Sequence, residues 1–387
     1  MQANDLAPLF QPLTVNTLTL PNRFIMPGMQ RGMAKDGDPL PALGEYYCKR
    51  AKGGVALIIS ESCAINHPSS SQQPACVRMI PATLGSWGRI IKDIKAAGGN
   101  FFIQLWHEGA ARREGGKGQY AAYPTLSPSG LIQANKPNGR AMTLEEMEVI
   151  KEAYVWTAQA AQDLGASGVE IHGAHGYLLD QFLWRETNVR TDGYGGEDIR
   201  ARVRFPAEVA AAVRKAVGPK FPISFRFSQW KECDYTAKIV HTPAELGTML
   251  GLLRAAGIDM FNVSTRRFYL PEWPGDDRGM AGWTKSLTDV PVVTVGSVGG
   301  LDIDFMANLI GEESKADIVP GLVELLRRFN NHEFDLAAVG RSLIGDPDWV
   351  RKVREGRFQD VCSFTRKDLV GGFEWDASMV EGEHAGH

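Results

Sequence analysis

Two histidines and a tyrosine close the run Val169-Glu170-Ile171-His172-Gly173-Ala174-His175-Gly176-Tyr177, where an apolar stretch passes directly into ring-bearing polar residues separated by small ones. Small residues let the backbone turn sharply and leave the rings exposed. Imidazoles three positions apart can aim N–H groups at one substrate oxygen, and a phenol beside them can deliver a proton. Two other uses fit the same residues. One is a metal pair, which needs a carboxylate or third histidine from another strand end that cannot be identified; the other is a structural role. The expectation is catalytic His172, His175 and Tyr177, and no metal.

Three further segments carry chemistry. Phe101-Phe102-Ile103-Gln104-Leu105-Trp106 carries, at Gln104, an amide that can both donate to and accept from the edge of a heterocycle. Ile223-Ser224-Phe225-Arg226-Phe227-Ser228 carries a guanidinium in an apolar alternating run, where an unpartnered charge is costly. A reduced flavin, with negative charge near N1 and C2=O, is one partner for Arg226; an internal salt bridge is the other. Finally, Val295-Gly296-Ser297-Val298-Gly299-Gly300 and Val339-Gly340-Arg341-Ser342 follow the last two apolar runs. Backbone N–H groups in such turns, with an arginine beside them, suit a phosphate.

The elements that must position these residues can be read from apolar runs beginning near Phe24, Val55, Phe101, Val169, Ile223, Met260, Val292 and Leu336. The intervals are long enough for helical crossovers and too long for hairpins, which implies parallel strands. Thr143-Leu144-Glu145-Glu146 reads as a capping box opening a helix that Gly165 ends. Thr242-Pro243-Ala244-Glu245 opens another, ended by Gly257, and Asp346-Pro347 is expected to open the last. No G-x-G-x-x-G follows the first run, which disfavours a doubly wound sheet. The fold class expected is α/β, a single eight-stranded parallel β/α barrel (TIM barrel) with loop insertions, its chemistry on the carboxyl ends of the strands. Two long connections, Gly109 to Arg140 and Arg266 to Leu287, are expected to act as lids.

Bulk properties agree with that class. The chain has 387 residues, 44% of them hydrophobic, and a formal net charge of −3 from 42 basic and 45 acidic residues with no block of like charge. Nucleic acid and anionic membrane are therefore not expected partners. No apolar run approaches the roughly 20 residues that span a bilayer, and Met1 to Gln11 lacks the features of a signal peptide, so a cytoplasmic location is expected. The 5 cysteines are scattered and never paired as C-x-x-C, which argues against disulfides, zinc or an iron–sulfur cluster.

From Leu9 to about Phe364 the residues resemble the Old Yellow Enzyme family of FMN-dependent ene-reductases (NADH:flavin oxidoreductases). The resemblance is densest from His172 to Gly196, through Leu178-Leu179-Asp180-Gln181-Phe182-Leu183 and Thr187-Asn188-Val189-Arg190-Thr191-Asp192-Gly193-Tyr194-Gly195-Gly196. Asn22-Arg23, Gln104-Leu105-Trp106, Arg226 and Val339-Gly340-Arg341 add to it. The resemblance implies FMN as cofactor and NAD(P)H as transient hydride donor. His172 and His175 would hold the activating carbonyl or nitro oxygen and Tyr177 would protonate the α carbon. Gln104 and Arg226 would contact the isoalloxazine ring, and Met29, Ser62, Gly296, Ser297, Gly340 and Arg341 would complete the cofactor site. Trp106, Phe268 and Tyr269 would wall the substrate pocket. The chain departs from the family at Pro27-Gly28-Met29-Gln30, where Gln30 replaces a small hydrogen-bonding or thiol residue. It has neither the cysteines nor the length of larger relatives that carry an iron–sulfur cluster.

The activity these readings imply is reduction of enones, enals or nitroalkenes with NAD(P)H, NADH or NADPH, by ping-pong hydride transfer. One alternative is flavin-dependent oxidation or demethylation of a small substrate such as an N-methyl compound. A second is a non-catalytic flavin- or ligand-binding barrel. Residues 1–364 are expected to form the barrel and 365–387 a partly flexible extension. The partners expected are a small electron-poor alkene and a nicotinamide cofactor, and a homo-oligomer is compatible with the sequence.

Overall fold

A computed structural model describes residues 1–113, 119–300 and 317–369. Eight parallel strands close into a barrel: β1 Phe24–Met26, β2 Leu57–Ala64, β3 Phe101–Trp106, β4 Gly168–His175, β5 Ile223–Lys231, β6 Met260–Ser264, β7 Val292–Val295 and β8 Leu336–Ala338. Each strand pairs with its neighbours in sequence, and Ala337 opposite Phe24 closes the ring. All eight apolar runs are barrel strands.

Strand alternation separates two cores. Phe24, Ile58, Phe101, Ile103, Val169, Ile171, Phe225, Phe227 and Val263 face outward into the layer between strands and helices. Ile25, Leu57, Ile59, Phe102, Met260, Val293 and Leu336 fill the barrel itself, and a hairpin of Leu13–Val15 and Leu18–Leu20 packs Val15 and Leu20 against them. Burying an apolar side chain of this size stabilises by about 1.5–3 kcal/mol, so the amino-terminal half of the barrel is a solid plug. Asn22 and Arg23 serve that end. Asn22 bonds the carbonyl of Gly54 and the amide of Phe24, and Arg23 bonds the carbonyls of Gln11, Pro12 and Asp335.

The same alternation carries polar residues up the inner wall: Gln104 on β3, Glu170 and His172 on β4, Ser224 and Arg226 on β5, Asn262 and Ser264 on β6. Register sets Glu170 beside both Gln104 and Ser224, and Arg226 beside both His172 and Asn262.

The outer helices include α1 Pro41–Lys52, α2 Leu84–Ala96, α3 Leu144–Asp163, α4 Leu178–Leu183, α5 Ile199–Val217, α6 Pro243–Ala255, α7 Met280–Leu287, α8 Val319–Asn330, α9 Arg341–Gly345 and α10 Trp349–Arg354. The Thr143 box closes in both directions, whereas at Thr242 only the threonine half forms and Glu245 takes the His241 amide at 2.6 Å instead of that of Thr242. Thr143 Oγ1 accepts the Glu146 amide at 3.1 Å while Glu146 takes the Thr143 amide at 2.9 Å, and Thr242 Oγ1 accepts the Glu245 amide at 3.2 Å. Each such cap contributes about 1 kcal/mol. The last helix starts later than expected. Its N-cap is Asp348, and Asp346 instead binds the Asp348 amide and Lys352.

Of the expected extension, residues 365–369 are described, and the carbonyl of Asp368 accepts from Arg31 at 2.7 Å. Residues 370–387 lie outside the described residues. Among the described residues no helix is long and apolar enough to cross a membrane, and no cluster of potential ligands suits a metal ion.

Candidate active site

At the carboxyl end of β4 the chain turns away from the barrel through a strained residue. His175 has φ +64°, a conformation that costs a residue with a Cβ about 1–3 kcal/mol and persists only where its surroundings hold it. They do so here. Its amide donates to Ser228 Oγ at 2.9 Å, its carbonyl accepts from the Glu232 amide at 3.2 Å, and its Nε2 lies 2.8 Å from Ser264 Oγ. The imidazole stacks on Trp230 with centroids 4.5 Å apart.

The three expected catalytic side chains converge. The His172 ring lies 5.2 Å from that of His175 and 5.2 Å from that of Tyr177, both edge-on. Trp106 packs edge-on against Tyr177 at 5.2 Å. Burial, with the charge of Arg226 adding to it, holds the pKa of both histidines well below the usual imidazole value, so both are neutral at pH 7. A neutral imidazole has one N–H. In His172, Nδ1 accepts the Ala174 amide at 3.3 Å, which assigns the N–H to Nε2. The tautomer of His175 depends on its Ser264 contact. Burial and the nearby carboxyls of Glu232 and Glu108 hold the Tyr177 phenol well above its usual pKa, so it keeps its proton.

The stretch after Tyr177 is scaffolding for that turn. Asp180 accepts the Gly176 amide at 2.6 Å, while Gln181 donates to the Gly176 carbonyl at 2.6 Å and accepts the Ala110 amide at 2.9 Å. Thr187 bonds the carbonyls of Gln181 and Trp184, and Asn188 those of Phe182 and Tyr194.

Below the histidines lies a buried polar layer. Ser62 donates to Gln104 Oε1 at 2.8 Å, and Gln104 Nε2 donates to Glu170 Oε1 at 2.8 Å. Glu170 also accepts from Ser224 at 3.0 Å and Asn262 at 2.7 Å. Gln104 therefore has both ends of its amide engaged inside the barrel. Arg226 is 6% exposed and bonds only neutral groups among the described residues, the Gly28 carbonyl at 3.1 Å and Ser264 Oγ at 3.2 Å. Its Nε has no hydrogen-bond partner there, and no carboxylate forms a salt bridge with it.

The remaining expected residues fall into two groups. The loops after β1, β7 and β8 meet: Met29 Sδ is the nearest atom, at 3.5 Å, to a Cβ built on Gly340, which precedes Arg341 at the start of α9. Gly296 has φ +129° and would place a Cβ 2.3 Å from the Thr265 carbonyl, so only glycine fits; Ser297 follows at φ +56°. Phe268 joins the loop after β7 through its backbone, its amide donating to the Gly296 carbonyl at 3.0 Å. Phe268 is buried in the strand–helix layer, and the carbonyl of Tyr269 is tied to Arg328 at 2.7 Å. The ring the structure brings to His175 is Trp230.

Of the two long connections, the first folds over the end of β5, with Gln133 donating to the Cys233 carbonyl at 2.5 Å and residues 114–118 outside the described residues. The second ends in α7 and docks on the outer rim through Trp273, which donates to the His241 carbonyl at 2.9 Å. Gln30, the departure after β1, reaches Cys76 at 3.1 Å, which continues through Gln73 to Glu108.

Trp230, Glu232, Ser264 and the Cys76 cluster were not anticipated. Ser264 was within reach of the sequence, because alternation from Asn262 turns it inward.

The family model described as NADH:flavin oxidoreductase / NADH oxidase matches residues 8–322. An NADH oxidase of Thermoanaerobacter brockii is 31% identical over 377 residues, which is 94% of this chain and 54% of that protein. A metal reductase of Desulforamulus reducens is 30% identical over 363 residues, 91% of this chain and 49% of that protein. The chain thus spans about half the length of these curated relatives. Among solved structures, morphinone reductase in complex with tetrahydroNAD superposes with a TM-score of 0.76 at 26% identity, covering 95% of each chain.

Proposed function

The chain belongs to the NADH:flavin oxidoreductase / NADH oxidase family, and on that premise we propose that it binds FMN and reduces alkenes conjugated to a carbonyl or nitro group with NAD(P)H. The observation that carries this reading is the convergence of two neutral imidazoles and a protonated phenol above a buried guanidinium that lacks an anionic partner among the described residues.

The residues fit FMN on their own terms. Arg226 keeps its charge at the barrel mouth with an unpartnered Nε, as an anionic ring edge requires. Gly28 allows close approach over Gln104, since a Cβ there would lie 2.7 Å from the Gln104 amide. Met29 and Gly340 would flank the ring, Ser62 and Gln104 would support it from below, and Gly296, Ser297 and Arg341 would hold the phosphate.

Bound FMN, reduced by NAD(P)H, supplies a hydride for the β carbon of the alkene. The chain's residues handle charge and protons. His172 donates from Nε2, and His175 beside it, to the substrate oxygen as electron density moves onto it. Neutral donors suit this task because they need not be desolvated as ions. Tyr177 gives its phenolic proton to the α carbon. Trp106 and Trp230 close the two sides of the pocket and exclude water.

The test is the visible spectrum of the purified protein, then anaerobic addition of NADH or NADPH, then enones and nitroalkenes. Bleaching by a nicotinamide and recovery with an alkene are expected. Colourless folded protein that refuses FMN, or reduced flavin that no activated alkene reoxidises, overturns the reading.

A further inference from the structure

We propose that Glu232, just beyond β5, is a positioning residue that governs the proton of Tyr177, withholding it while ionised and releasing it while protonated. The inference rests on the proton-donor role proposed above for Tyr177.

A phenol has one proton. In the structure that proton points away from the histidines, because Tyr177 Oη donates to Glu232 Oε2 at 3.1 Å. A hydrogen bond to an ionised carboxylate is worth about 1.5–3 kcal/mol. Breaking it to protonate carbon would also leave a phenolate beside a carboxylate, a like-charge pair. Protonation of Glu232 inverts the arrangement. The carboxyl O–H donates to the phenol oxygen, and the tyrosine O–H turns to the substrate.

The contact is built into the fold. The Glu232 amide bonds the His175 carbonyl at 3.2 Å, tying the end of β5 to the turn that carries Tyr177. The neighbouring Lys231 amide is fixed as well, donating to the Asp234 carbonyl at 2.8 Å. Glu232 as a residue reaches solvent, which gives it a route for proton exchange with water, while its carboxyl is held against the phenol of the half-buried Tyr177.

The charged and titratable groups around the pair come from several strands. Enclosure of its carboxyl in the mouth raises Glu232 above the usual carboxylate range, while the Tyr177 hydrogen bond and then Arg226 on β5 favour the carboxylate. Glu108, beyond β3, and Cys76, beyond β2, face Tyr177 and raise its pKa together with Glu232. Lys231 beside Glu232 is committed to Asp180.

The proton balance closes. The phenol O–H breaks as the electron pair on the α carbon takes the proton. The phenolate takes a proton from the Glu232 carboxyl, and the carboxylate takes one from water.

Glu232→Gln tests this, because its amide donates to the phenol oxygen at every pH. Reduced holoenzyme mixed with an enone should reoxidise more slowly as pH rises in the wild type, by roughly tenfold per unit above the Glu232 pKa, whereas E232Q should stay flat over the same range. Independently of turnover, tyrosine titration of the oxidised holoenzyme by ultraviolet difference or 13C-labelled NMR should place the Tyr177 pKa lower in E232Q. Glu232→Asp should retain a pH dependence. Identical pH profiles for wild type and E232Q, or an unmoved Tyr177 titration, would overturn the proposal. Failure of the wild type to reduce any enone would count instead against the function, and the tyrosine titration would still decide whether Glu232 governs that phenol.

Discussion

Lys231 and Asp180 form an ion pair at 2.8 Å with both side chains 0% exposed, and it joins the end of β5 to the helix that follows the turn between His175 and Tyr177. Burial pushes the Asp180 carboxyl up to about 6 against the pull of Lys231, and Asp180 also holds the Gly176 amide. The turn between His175 and Tyr177 is thus fixed from behind by a fully buried charge pair.

Removing one member of a buried pair strands the other, at about 3–5 kcal/mol. Asp180→Ala should lose that much in urea unfolding, while the double replacement Asp180→Leu with Lys231→Met should recover most of it. Equal losses in the single and double variants would mean the pair matters for something other than charge.

In the mechanism proposed above, His172 would offer its Nε2–H to the substrate oxygen. Deleting a preorganised donor of this kind costs about 2.7–4 kcal/mol of barrier, so His172→Ala should lower turnover roughly a hundredfold or more with FMN still bound. Near-normal turnover of a flavin-loaded variant would remove the residue from this role.

Tyr177→Phe should leave flavin reduction by NAD(P)H unchanged and slow only reoxidation by enones. Stopped-flow measurement of the two half-reactions separates the steps, and unaltered enone kinetics would exclude Tyr177 as the proton donor.

Arg226 Nε is buried without a hydrogen-bond partner among the described residues. Arg226→Met should weaken FMN binding by roughly tenfold to a hundredfold, from a charge-assisted bond of about 1.5–3 kcal/mol, read by the fluorescence of released flavin. Unchanged affinity would refute a flavin contact at this position.

Burial pushes the carboxyls of Glu61 and Glu108 up to about 7. Unfolded glutamate titrates near about 4.3, so between these values the native state binds more protons than the unfolded one. Stability then falls as pH rises through about 7, on the order of 3 kcal/mol for each group. His107, His172 and His175, held low by burial, act the other way, because the unfolded state binds more protons below about 6.5. Glu108→Gln should therefore lose less stability than wild type between pH 5 and pH 8, measured by urea unfolding at each pH. Parallel losses in the two proteins would contradict the shift at Glu108.

The barrel was legible because strand runs and capping boxes are local. Every run from Phe24 to Leu336 became a barrel strand, and both threonine caps closed as their spacing required. The cluster of His172, His175 and Tyr177 was legible for the same reason, since one strand end and its turn carry all three. Other features depended on contacts between distant segments. Arg226 could have met a carboxylate or a ligand, and only its position in the ring, facing Gly28 and Ser264, left it without a carboxylate among the described residues. Aromatic residues carry no directional code, so packing alone decided that Trp230 stacks on His175 and that the Phe268 ring is buried in the core. Sequence alone determined the strands, the caps and the paired imidazoles, because each is set by spacing along one segment. Tertiary structure alone decided which side chains face those imidazoles, because closing the barrel brings Tyr177 to Glu232 and His175 to Ser264 across 55 and 89 residues of chain.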